Sequence, residues 1–360
     1  MARRRQSVTI KHVAADAGVS LQTVSRVINS GANVHPRTNQ RVQEAIDRLG
    51  YVPSIAARRM GGSSSYLILS LNDRDRTIAD WTNREGADWV DQMLFGGMIK
   101  SAELGYRLLL ELVDTHNDHV ERELRETIAA LQPDGVILTP PHSENPLITT
   151  LLGEEGISFA RIGSLEAGAG IALTMDDEEA ASLATRHLIA LGHRRIGFIA
   201  GSNEYSLSAR RVAGWRDAMA RAGLPIEELL APGDFSYASG EQAAATLLSL
   251  ADPATAIIAS NDQMALATLG VCNARGMVVP DDLSLISFDN TPIVRFVQPP
   301  LTAIDQPIAQ LASKAVELIV AAHRGLGVPD GPVVVPASLV ERKSTAPPRP
   351  SNPARRSAEQ

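Results

Sequence analysis

The stretch GVSLQTVSRVIN, residues 18–29, combines a glycine turn, a helix-capping serine and a short amphipathic segment. Ser20 is of a type that begins helices, and the apolar residues after it recur at the spacing of one helical face: Leu21, Val24, Val27 and Ile28. The other side chains are polar and are predicted to face solvent: Gln22, Thr23, Ser25, Arg26 and Asn29. This helix therefore presents hydrogen-bonding groups on its outer side.

Two further short helices are predicted around this stretch. Thr9 precedes IKHVAADAG, whose apolar residues are spaced for one buried face, and Gly18 supplies a stop. Two short helices joined by a glycine-containing turn form a helix-turn-helix, which places its second helix in the major groove of DNA. A third helix is predicted from Pro36 to Gly50 and completes a small core with its inner face: Val42, Ala45, Ile46 and Leu49.

Several of these side chains have the chemistry of DNA contacts. Glutamine can bond bidentately to adenine and arginine to guanine, so Gln22 and Arg26, four residues apart, can read neighbouring base edges. Leu21 can pack against a thymine methyl group. The other candidates suit phosphates, which position a protein without reading sequence: Thr9, Thr23, Ser25 and Asn29. Helix pairs of this spacing without a DNA role are common, so the motif alone favours DNA binding only modestly.

The charge is unevenly distributed along the chain. Residues 1–60 hold ten basic and three acidic side chains, a formal charge of +7. Since the whole chain carries −7, residues 61–360 carry −14. A basic end on an acidic body is typical of nucleic-acid binding at that end, although charge alone is equally compatible with a well-solvated basic surface.

Length and composition indicate a folded protein of several domains. A chain of 360 residues with 44% hydrophobic and 21% charged residues has an ordinary globular composition and is too long for a single core. Cys272 is the only cysteine, so no intrachain disulfide can form, and the N-terminal residues contain no apolar run typical of a secretory signal. No apolar stretch has the length of a membrane span. We therefore expect a cytoplasmic protein.

The segment GYVPSIAARRM, residues 50–60, follows the third helix directly. Pro53 ends that helix, and SIAARRM can form only two turns of another, which is marginal alone. From Val8 to about Arg342, the sequence resembles the lactose-repressor (LacI-type) family of transcription regulators. The motifs that carry the resemblance are VTIKHVAADAGVSLQTVSRVIN, RVQEAIDRLGYVPSIAARRM, SNDQMAL and LTAIDQP.

The resemblance implies a DNA-binding domain over residues 1–62 that ends in a hinge helix at about 53–61. In that family the hinge helix folds when two copies pair on operator DNA, and each inserts an apolar lever into the minor groove. Ala57, Arg58 and Met60 fall in this segment, with Met60 at the lever position where leucine is usual. We therefore expect a homodimer on a palindromic operator in double-stranded DNA.

The rest of the chain predicts an α/β, two-lobed domain like the periplasmic binding proteins. From Tyr66 onward, short apolar runs from YLILSL to LSLISF, including IALTM and APGDFSY, alternate with helix-length stretches, which favours parallel sheets covered by helices. A break near 164–170 suggests two lobes, and the resemblance adds chain crossings near residues 164, 291 and 325. We assign residues 63–342 to this effector and dimerisation domain, with an N-lobe at about 66–163 and 292–324 and a C-lobe at about 164–291 and 325–342.

Ligands of open α/β sheets bind outside the carboxyl ends of the strands, where this sequence is polar. Carboxylates, amides and arginines can each bond vicinal hydroxyls, and an aromatic face can cover a sugar ring, so this set fits a mono- or oligosaccharide effector. The candidates from strand ends and helix starts, several of them also at effector positions by the resemblance, are Asn72, Asp73, Trp89, Arg161, Ser206, Arg210, Phe235, Asn261, Asp289 and Gln306. Asp262 is interpreted as a helix-capping residue.

Two departures from the family pattern bear on the ligand. The segment NDRDRTIADWTNREGADW, residues 72–89, is longer than the usual loop and is predicted to hang over the cleft mouth, where its tryptophans either stack on a larger oligosaccharide or pack on the lobe. ARIGS places Arg161 where an apolar residue is common, and our hypothesis is that this arginine contacts an acidic or extended sugar.

No cofactor, metal site or enzymatic activity is predicted. The sequence has no phosphate-cradling glycine motif and no CxxC pair, and His187 and His193 have no companion ligands. Two other classes stay open, a plain sugar-binding receptor or transport protein and a hydrolase that uses cleft carboxylates. Residues 343–360 are rich in Pro, Ser and Arg without a leucine heptad, so we expect a disordered tail and a dimer rather than a tetramer. Met93, Leu94 and Met98 are candidates for the dimer face, although the core is the preferred place for them.

Overall fold

A computed structural model describes residues 8–28, 34–51, 64–83, 88–117, 119–166 and 168–349. The chain divides into two compact units. One lies within residues 1–67 and 127–134, and the other within residues 68–126 and 135–360.

The first unit contains the three predicted short helices. They are α1 (Ile10–Ala17), α2 (Leu21–Ile28) and α3 (Pro36–Leu49). Gly18 and Gly50 end α1 and α3 in the left-handed conformation, at φ +61° and +58°, which glycine adopts without steric cost. The helices enclose one small core of buried side chains: Val13, Ala14, Ala17, Val24, Val42, Ala45 and Tyr51. The spacing of apolar residues therefore predicted this unit correctly.

The first sheet of the second unit has the strand order β11-β5-β4-β3-β1-β2. Its strands are β1 (Leu67–Asp73), β2 (Arg107–Val113), β3 (Gly135–Leu138), β4 (Ser158–Ile162), β5 (Ile171–Thr174) and β11 (Val333–Val334). The pairs β1–β3, β3–β4, β4–β5 and β5–β11 are parallel. The associated helices are α4 (Arg74–Asn83), α5 (Asp88–Glu103), α6 (Val120–Leu131), α7 (Pro146–Glu154) and α13 (Ile308–His323), with a 3₁₀ turn at His142–Glu144. We call this sheet with its helices the first lobe.

The second sheet repeats this plan with the order β12-β10-β9-β8-β6-β7. Its strands are β6 (Ile196–Ile199), β7 (Leu230–Ala231), β8 (Ala256–Ala259), β9 (Ser284–Asp289), β10 (Thr302–Asp305) and β12 (Ser338–Val340), of which β12 pairs antiparallel to β10. The helices are α8 (Asp177–Ala190), α9 (Ser206–Arg221), α10 (Tyr237–Leu248), α11 (Asp262–Ala274) and α12 (Ile293–Phe296). We call this sheet with its helices the second lobe.

Both lobes use a glycine where two helices cross. In the first lobe a Cβ added to Gly96 of α5 would lie 1.9 Å from the carbonyl oxygen of Ala309 in α13. In the second lobe a Cβ added to Gly214 of α9 would lie 1.9 Å from the carbonyl oxygen of Glu178 in α8. Only glycine permits so close an approach of backbones, so the two lobes depend on equivalent packing.

The predicted lobe boundaries were wrong by one strand each. The Gly- and Ser-rich segment at 163–170 joins β4 to β5 within the same sheet, rather than crossing between lobes. Likewise β10 pairs with β9 and belongs to the second lobe, and β11, which was predicted in the second lobe with residues 325–342, pairs with β5 and belongs to the first. The crossings therefore fall at about residues 175, 306 and 336, because a turn-rich composition marks the end of a strand without indicating which sheet the next strand joins. Of the predicted strand APGDFSY, only the start is extended, since β7 ends at Ala231.

Residues 343–349 are not part of a disordered tail. Ser344 is fully buried, and its Oγ accepts a hydrogen bond from the Thr302 amide at 2.7 Å. His193 contacts the carbonyl oxygen of Ala346 at 2.9 Å through Nε2, and Arg349 forms ion pairs with Asp281 and Asp282 at 2.6 Å. Residues 343–349 therefore pack on the second lobe, which a proline-rich composition did not predict.

Across the described ranges, none of the helices combines the length and the apolar character needed to span a bilayer.

Candidate functional site

The first candidate site is the outer face of α2. Gln22 and Arg26 are both exposed and lie one helical turn apart. Leu21 is 44% exposed although it is apolar, while Thr23 and Ser25 are half-buried. Thr9 is exposed immediately before α1, where its amide donates to Nδ1 of His12 at 3.1 Å. The predicted DNA contacts Asn29, Ala57, Arg58 and Met60, and the hinge at 53–61, lie outside the described residues.

Contacts at both ends of the turn fix α2. The Ser20 Oγ accepts the Thr23 amide at 3.1 Å and so caps the helix. From α3, Arg41 donates through Nη2 to the carbonyl oxygens of Ala17 at 2.7 Å and Gly18 at 3.3 Å. Val24 is fully buried beneath the helix. The exposed polar face is therefore held by a packed apolar face and a hydrogen-bonded turn.

The second candidate site is a cavity of about 740 Å³ at the carboxyl ends of both sheets. The first lobe lines it with Asn72, Asp73, Arg76, Thr77, Asp80, Trp89, Val90, Thr139 and Pro140. The second lobe lines it with Tyr205, Leu207, Arg211, Phe235, Asn261, Asp289 and Gln306. Seven predicted effector residues are among them: Asn72, Asp73, Trp89, Phe235, Asn261, Asp289 and Gln306.

Arg161 does not line this cavity. Its guanidinium donates to Ser164 Oγ at 3.0 Å and to the carbonyl oxygen of Glu166 at 2.6 Å, and the residue is buried. The arginine therefore holds the loop after its own strand, so the hypothesis of an acidic sugar bound by Arg161 has no support in this geometry.

Arg210 and Ser206 are also placed elsewhere. Arg210 of α9 reaches across to the first lobe, where it donates to the Gly163 carbonyl oxygen at 2.5 Å and pairs with the Glu144 carboxylate. Its Nη2 also contacts Ser206 Oγ at 3.2 Å. Ser206 and Glu144 line a separate cavity of about 590 Å³ beside Pro140 and Glu204. This cluster joins the lobes outside the first cavity.

Among the lining residues that were not predicted as effector contacts is Arg211, one position further along α9. A step of one residue rotates a side chain by about 100°, so neighbouring arginines on a helix face different surroundings. The signal was present in the sequence, because Ser208, Arg211 and Trp215 follow the spacing of one helical face and all three are buried. An inner-face arginine would have been the better prediction.

Arg211 is buried among protein acceptors. Its Nε donates to Asp177 at 2.8 Å, its Nη1 to the Ser260 carbonyl oxygen at 2.6 Å, and its Nη2 to Gln306 Oε1 at 3.3 Å. The guanidinium carbon lies 4.6 Å from the centre of the Phe288 ring. Arg211 therefore lines the cavity and also bonds to residues behind its wall.

Two carboxyl groups of the second lobe share a buried environment. Asp289 accepts a hydrogen bond from the Gln306 amide, and its Oδ2 lies 3.4 Å from the Asp262 amide nitrogen. Burial, followed by the neighbouring Asp289, raises the pKa of Asp262 to about 7. Burial also raises the pKa of Asp289, although Arg211 acts in the opposite direction. Negative charge at this wall is therefore already disfavoured before any ligand arrives.

Asn261, rather than Asp262, caps α11. The Asn261 Oδ1 accepts the Met264 amide at 2.9 Å, and its Nδ2 donates to the Phe235 carbonyl oxygen at 2.7 Å. Asp262 instead receives bonds from the Ser287 hydroxyl and, at 2.7 Å, from the Thr291 amide. The expected capping role of Asp262 is thus wrong by one residue.

The long segment after β1 forms helix α4 rather than a loop. Arg76 of this helix pairs with Asp80 at 2.9 Å and donates to the carbonyl oxygen of Asp234 in the second lobe at 3.2 Å. Of the two tryptophans, Trp81 is 43% exposed and lies outside the cavity lining, while Trp89 is half-buried and lines it. The sequence did not predict helix α4 because few apolar residues recur at helical spacing within it.

Aromatic rings close the second-lobe side of the cavity. Tyr205 and Phe235 pack edge to face with their ring centres 5.7 Å apart. Burial raises the pKa of Tyr205, so its phenol stays protonated and can donate a hydrogen bond. The Arg76 guanidinium lies 5.9 Å above the Phe235 ring. Within the described ranges, no group of three or more His, Cys, Asp or Glu side chains could hold a metal ion.

A helix-turn-helix unit joined to a two-lobed binding domain defines a class of ligand-responsive DNA-binding regulators. Residues 9–54 match the family described as bacterial regulatory proteins, lacI family, and residues 185–345 match the periplasmic binding protein-like domain. The regulator DegA of Bacillus subtilis is 31% identical over 94% of this chain and 98% of its own. CelR of Thermobifida fusca is 32% identical over 95% and 99%.

Solved structures agree. The Lac repressor dimer bound to operator and the anti-inducer ONPF superposes with a TM-score of 0.75, at 26% identity over 95% of this chain and all of that one. The CelR–cellobiose complex gives 0.69, at 29% identity over 94% and 99%. The chain belongs to the lacI family of bacterial regulatory proteins and is an HTH-type transcriptional regulator, and the predicted fold class is confirmed.

Proposed function

We propose that this regulator is a repressor of carbohydrate-utilisation genes that binds a near-palindromic operator as a homodimer. A sugar or sugar-derived effector in the cavity between the lobes controls that binding. The observation that carries the proposal is the presence, in one chain, of an exposed Gln22–Arg26 helix face and of a cavity lined by paired polar groups and aromatic rings.

The DNA part of the proposal assigns α2 to the major groove. Gln22 and Arg26 are exposed at a spacing that spans neighbouring base pairs, and both can bond bidentately to base edges. Leu21 adds an exposed apolar contact suited to a thymine methyl group. The phosphate contacts are assigned to Thr9, Thr23 and Ser25, and the remaining contacts to Asn29, Ala57, Arg58 and Met60.

The dimer part rests on an exposed apolar face of α5. Phe95, Met98 and Ile99 are 59%, 56% and 47% exposed and lie on one side of the helix. Of the three residues predicted as candidates for the dimer face, Met93 is buried in the core and Leu94 is half-buried. Met98 is therefore the one of the three that is fully part of the exposed face. A second copy that covers the face would make the dimer two-fold symmetric, and the operator correspondingly palindromic.

The effector part assigns hydroxyl recognition to the amides and carboxylates of both walls. Asn72 and Asp73 at the end of β1 face Asn261, Asp289 and Gln306 of the second lobe across the cavity. Trp89 and Phe235 supply aromatic faces for the apolar side of a sugar ring. Arg211 lines the cavity, and we assign to it the hydroxyl-binding role that was predicted for Arg161, Ser206 and Arg210. The CelR–cellobiose complex supports a sugar as the ligand.

The allosteric part requires the two lobes to change their relative position when the effector binds. We assign the transmission of that change to the hinge at about 53–61, which lies outside the described residues. Couplings of about 1–3 kcal/mol are typical of allosteric proteins and suffice here. The relatives found are transcriptional regulators rather than enzymes, and we propose no reaction for the cavity carboxylates. Since the proposed target is operator DNA, we also propose a cytoplasmic location.

A gel-shift selection tests the proposal. The full-length protein is incubated with a library of palindromic duplexes at rising salt, and retained duplexes are sequenced. We expect a palindromic consensus, with retention that falls steeply as salt rises because several phosphates are contacted.

Arg26→Ala should relax the consensus, while Arg324→Ala, which removes an exposed arginine from the second unit, should leave it intact. Retention without any consensus, or a consensus unchanged by Arg26→Ala, would contradict the assignment of α2.

A further inference from the structure

The charged groups of the cavity wall contain more acids than bases. Its carboxylates are Asp73, Asp80 and Asp289, and its cations are Arg76 and Arg211. No lysine or histidine is among the described lining residues. Behind the wall, Asp177 and Asp262 are both buried and lie against Arg211 and Asp289 respectively. With every carboxyl group counted as ionised, the balance of formal charge around a bound ligand is therefore negative.

The two cations of the wall are already paired with protein groups. Arg211 is held by Asp177, by the carbonyl oxygen of Ser260 and by Gln306, and its side chain is only 4% exposed. A ligand anion that took this guanidinium would have to leave the buried Asp177 carboxylate without its partner. Such a loss of a buried partner is expensive, so Arg211 is a poor anion receptor.

Arg76 also has protein partners, although its side chain at the cavity mouth is 33% exposed. Its Nε pairs with Asp80 at 2.9 Å, and its Nη1 donates to the carbonyl oxygen of Asp234 at 3.2 Å. Arg161 and Arg210, which would have supplied further positive charge, bond to groups outside this cavity. In the described part of the chain, an anionic ligand group thus reaches no arginine of the wall that lacks a protein partner.

We propose that the effector site selects by charge, accepting a hydroxyl-rich ring without negative charge and rejecting the phosphate ester or uronic acid of the same sugar. This inference rests on the proposed function of the cavity as an effector site. Asp289, Asn261 and Gln306 can bond hydroxyl groups, which carry both a donor and acceptors. A ligand carboxylate or phosphate offers acceptors alone and would repel Asp73 and the ionised form of Asp289 across a partly buried space.

The direction of the pKa shifts agrees with this picture. Burial raises the pKa of Asp289, and burial together with Asp289 raises that of Asp262, so the wall disfavours even its own negative charges. A hydroxyl group that donates to Asp289 stabilises the ionised carboxylate, whereas a further anion would oppose it.

Matched ligand sets test the inference on the full-length protein. Thermal shift followed by calorimetry would compare glucose, glucosamine, glucuronate and glucose 6-phosphate, the corresponding galactose compounds, and cellobiose with cellobionate. We expect at least one neutral or ammonium compound to bind and its anionic counterpart to bind about 10- to 100-fold more weakly, the effect of one like charge in a partly buried site. An anionic compound that binds as tightly as its neutral parent would overturn the inference.

Absence of binding by every compound would also overturn it, since the cavity would then not take sugars. The operator gel shift is read independently, so failure of charge selection and failure of the DNA-binding proposal are separate results.

A variant pair tests the role of Arg76. Asp80→Asn removes the ion-pair partner of Arg76 and should narrow the preference for the neutral over the anionic compound by about tenfold. Asp75→Asn makes the same charge change at an exposed position of the same helix, outside the cavity lining, and should leave the ratio unchanged. If the ratio of neutral to anionic ligand affinity is the same in Asp80→Asn as in the wild-type protein, charge selection does not depend on the pairing of Arg76 with Asp80.

Discussion

The outer face of α2 and the wall of the cavity use the same two side-chain types in opposite ways. Gln22 and Arg26 are exposed on α2, whereas Gln306 and Arg211 bond to each other and to buried carboxylates in the second lobe. The exposed pair can meet different base edges, while the buried pair is fixed before a ligand arrives. We therefore expect substitutions on the outer face of α2 to change recognition alone, and substitutions in the cavity wall to change stability and recognition together.

The largest effect is expected from Arg211→Met. This substitution leaves the buried Asp177 and Asp289 without their cation, and breaking a buried ion pair typically costs about 3–5 kcal/mol. Urea unfolding should show that loss, and calorimetry should show that effector binding is abolished.

Arg210→Met is the matched control, because Arg210 lies next to Arg211 in sequence but outside the cavity lining. Its partner Glu144 is half-buried and can regain contact with water, so the loss of stability should be smaller. Equal losses in the two variants would remove the distinction between the cavity wall and the rest of α9.

Arg26→Ala is expected to act on recognition without acting on stability. Loss of a bidentate base contact costs about 1–3 kcal/mol of discrimination against the wrong base pair. The unfolding free energy should stay within about 0.5 kcal/mol of wild type, since the side chain is exposed. Competition gel shifts with single-base operator variants would measure the first quantity and urea unfolding the second. An Arg26→Ala variant that is destabilised but keeps its base preference would contradict the assignment of Arg26 to recognition.

Ser20→Ala tests the support beneath α2 rather than its face. The Ser20 hydroxyl caps the helix through the Thr23 amide, and loss of such a cap costs about 1 kcal/mol. Proteolysis or hydrogen exchange within residues 8–28 should report that loss, while effector binding stays at the wild-type level. Protection of α2 equal to that in wild type would show that the cap is not needed.

A pH effect on stability should arise in the cavity wall and not in α2. The pKa of Asp262 lies at about 7 in the folded protein against an ordinary 3.8, so the folded state holds this proton more tightly than the unfolded chain. The stability that the proton provides is complete below about pH 4 and is lost as the pH rises to about 7. Urea unfolding between pH 5 and 8 should therefore show a decline that Asp262→Asn flattens. The exposed Asp75→Asn is the control, and an identical decline in both variants would contradict the assignment.

The sequence predicted the three helices of the first unit more closely than it predicted the cavity. The faces of α1, α2 and α3 follow from residue spacing within each helix, so their bounds and core were predicted closely. The cavity depends on which strand joins which sheet and on the rotation of single side chains. For that reason β5, β10 and β11 were assigned to the wrong lobes, and Arg210 was chosen in place of Arg211. Strand-end residues such as Asn72 and Asp289 line the cavity, as expected, because carboxyl ends of parallel strands meet at one edge.

The central claim is that a ligand in the cavity alters how α2 meets DNA. Its most direct test is the operator dissociation constant of the full-length protein, measured with and without a saturating concentration of a sugar that stabilises it. We predict a change of about 5- to 150-fold in the wild-type protein, the range typical of allosteric coupling, and none in Asp289→Asn. An operator affinity that the bound sugar leaves unchanged in the wild-type protein would contradict the claim.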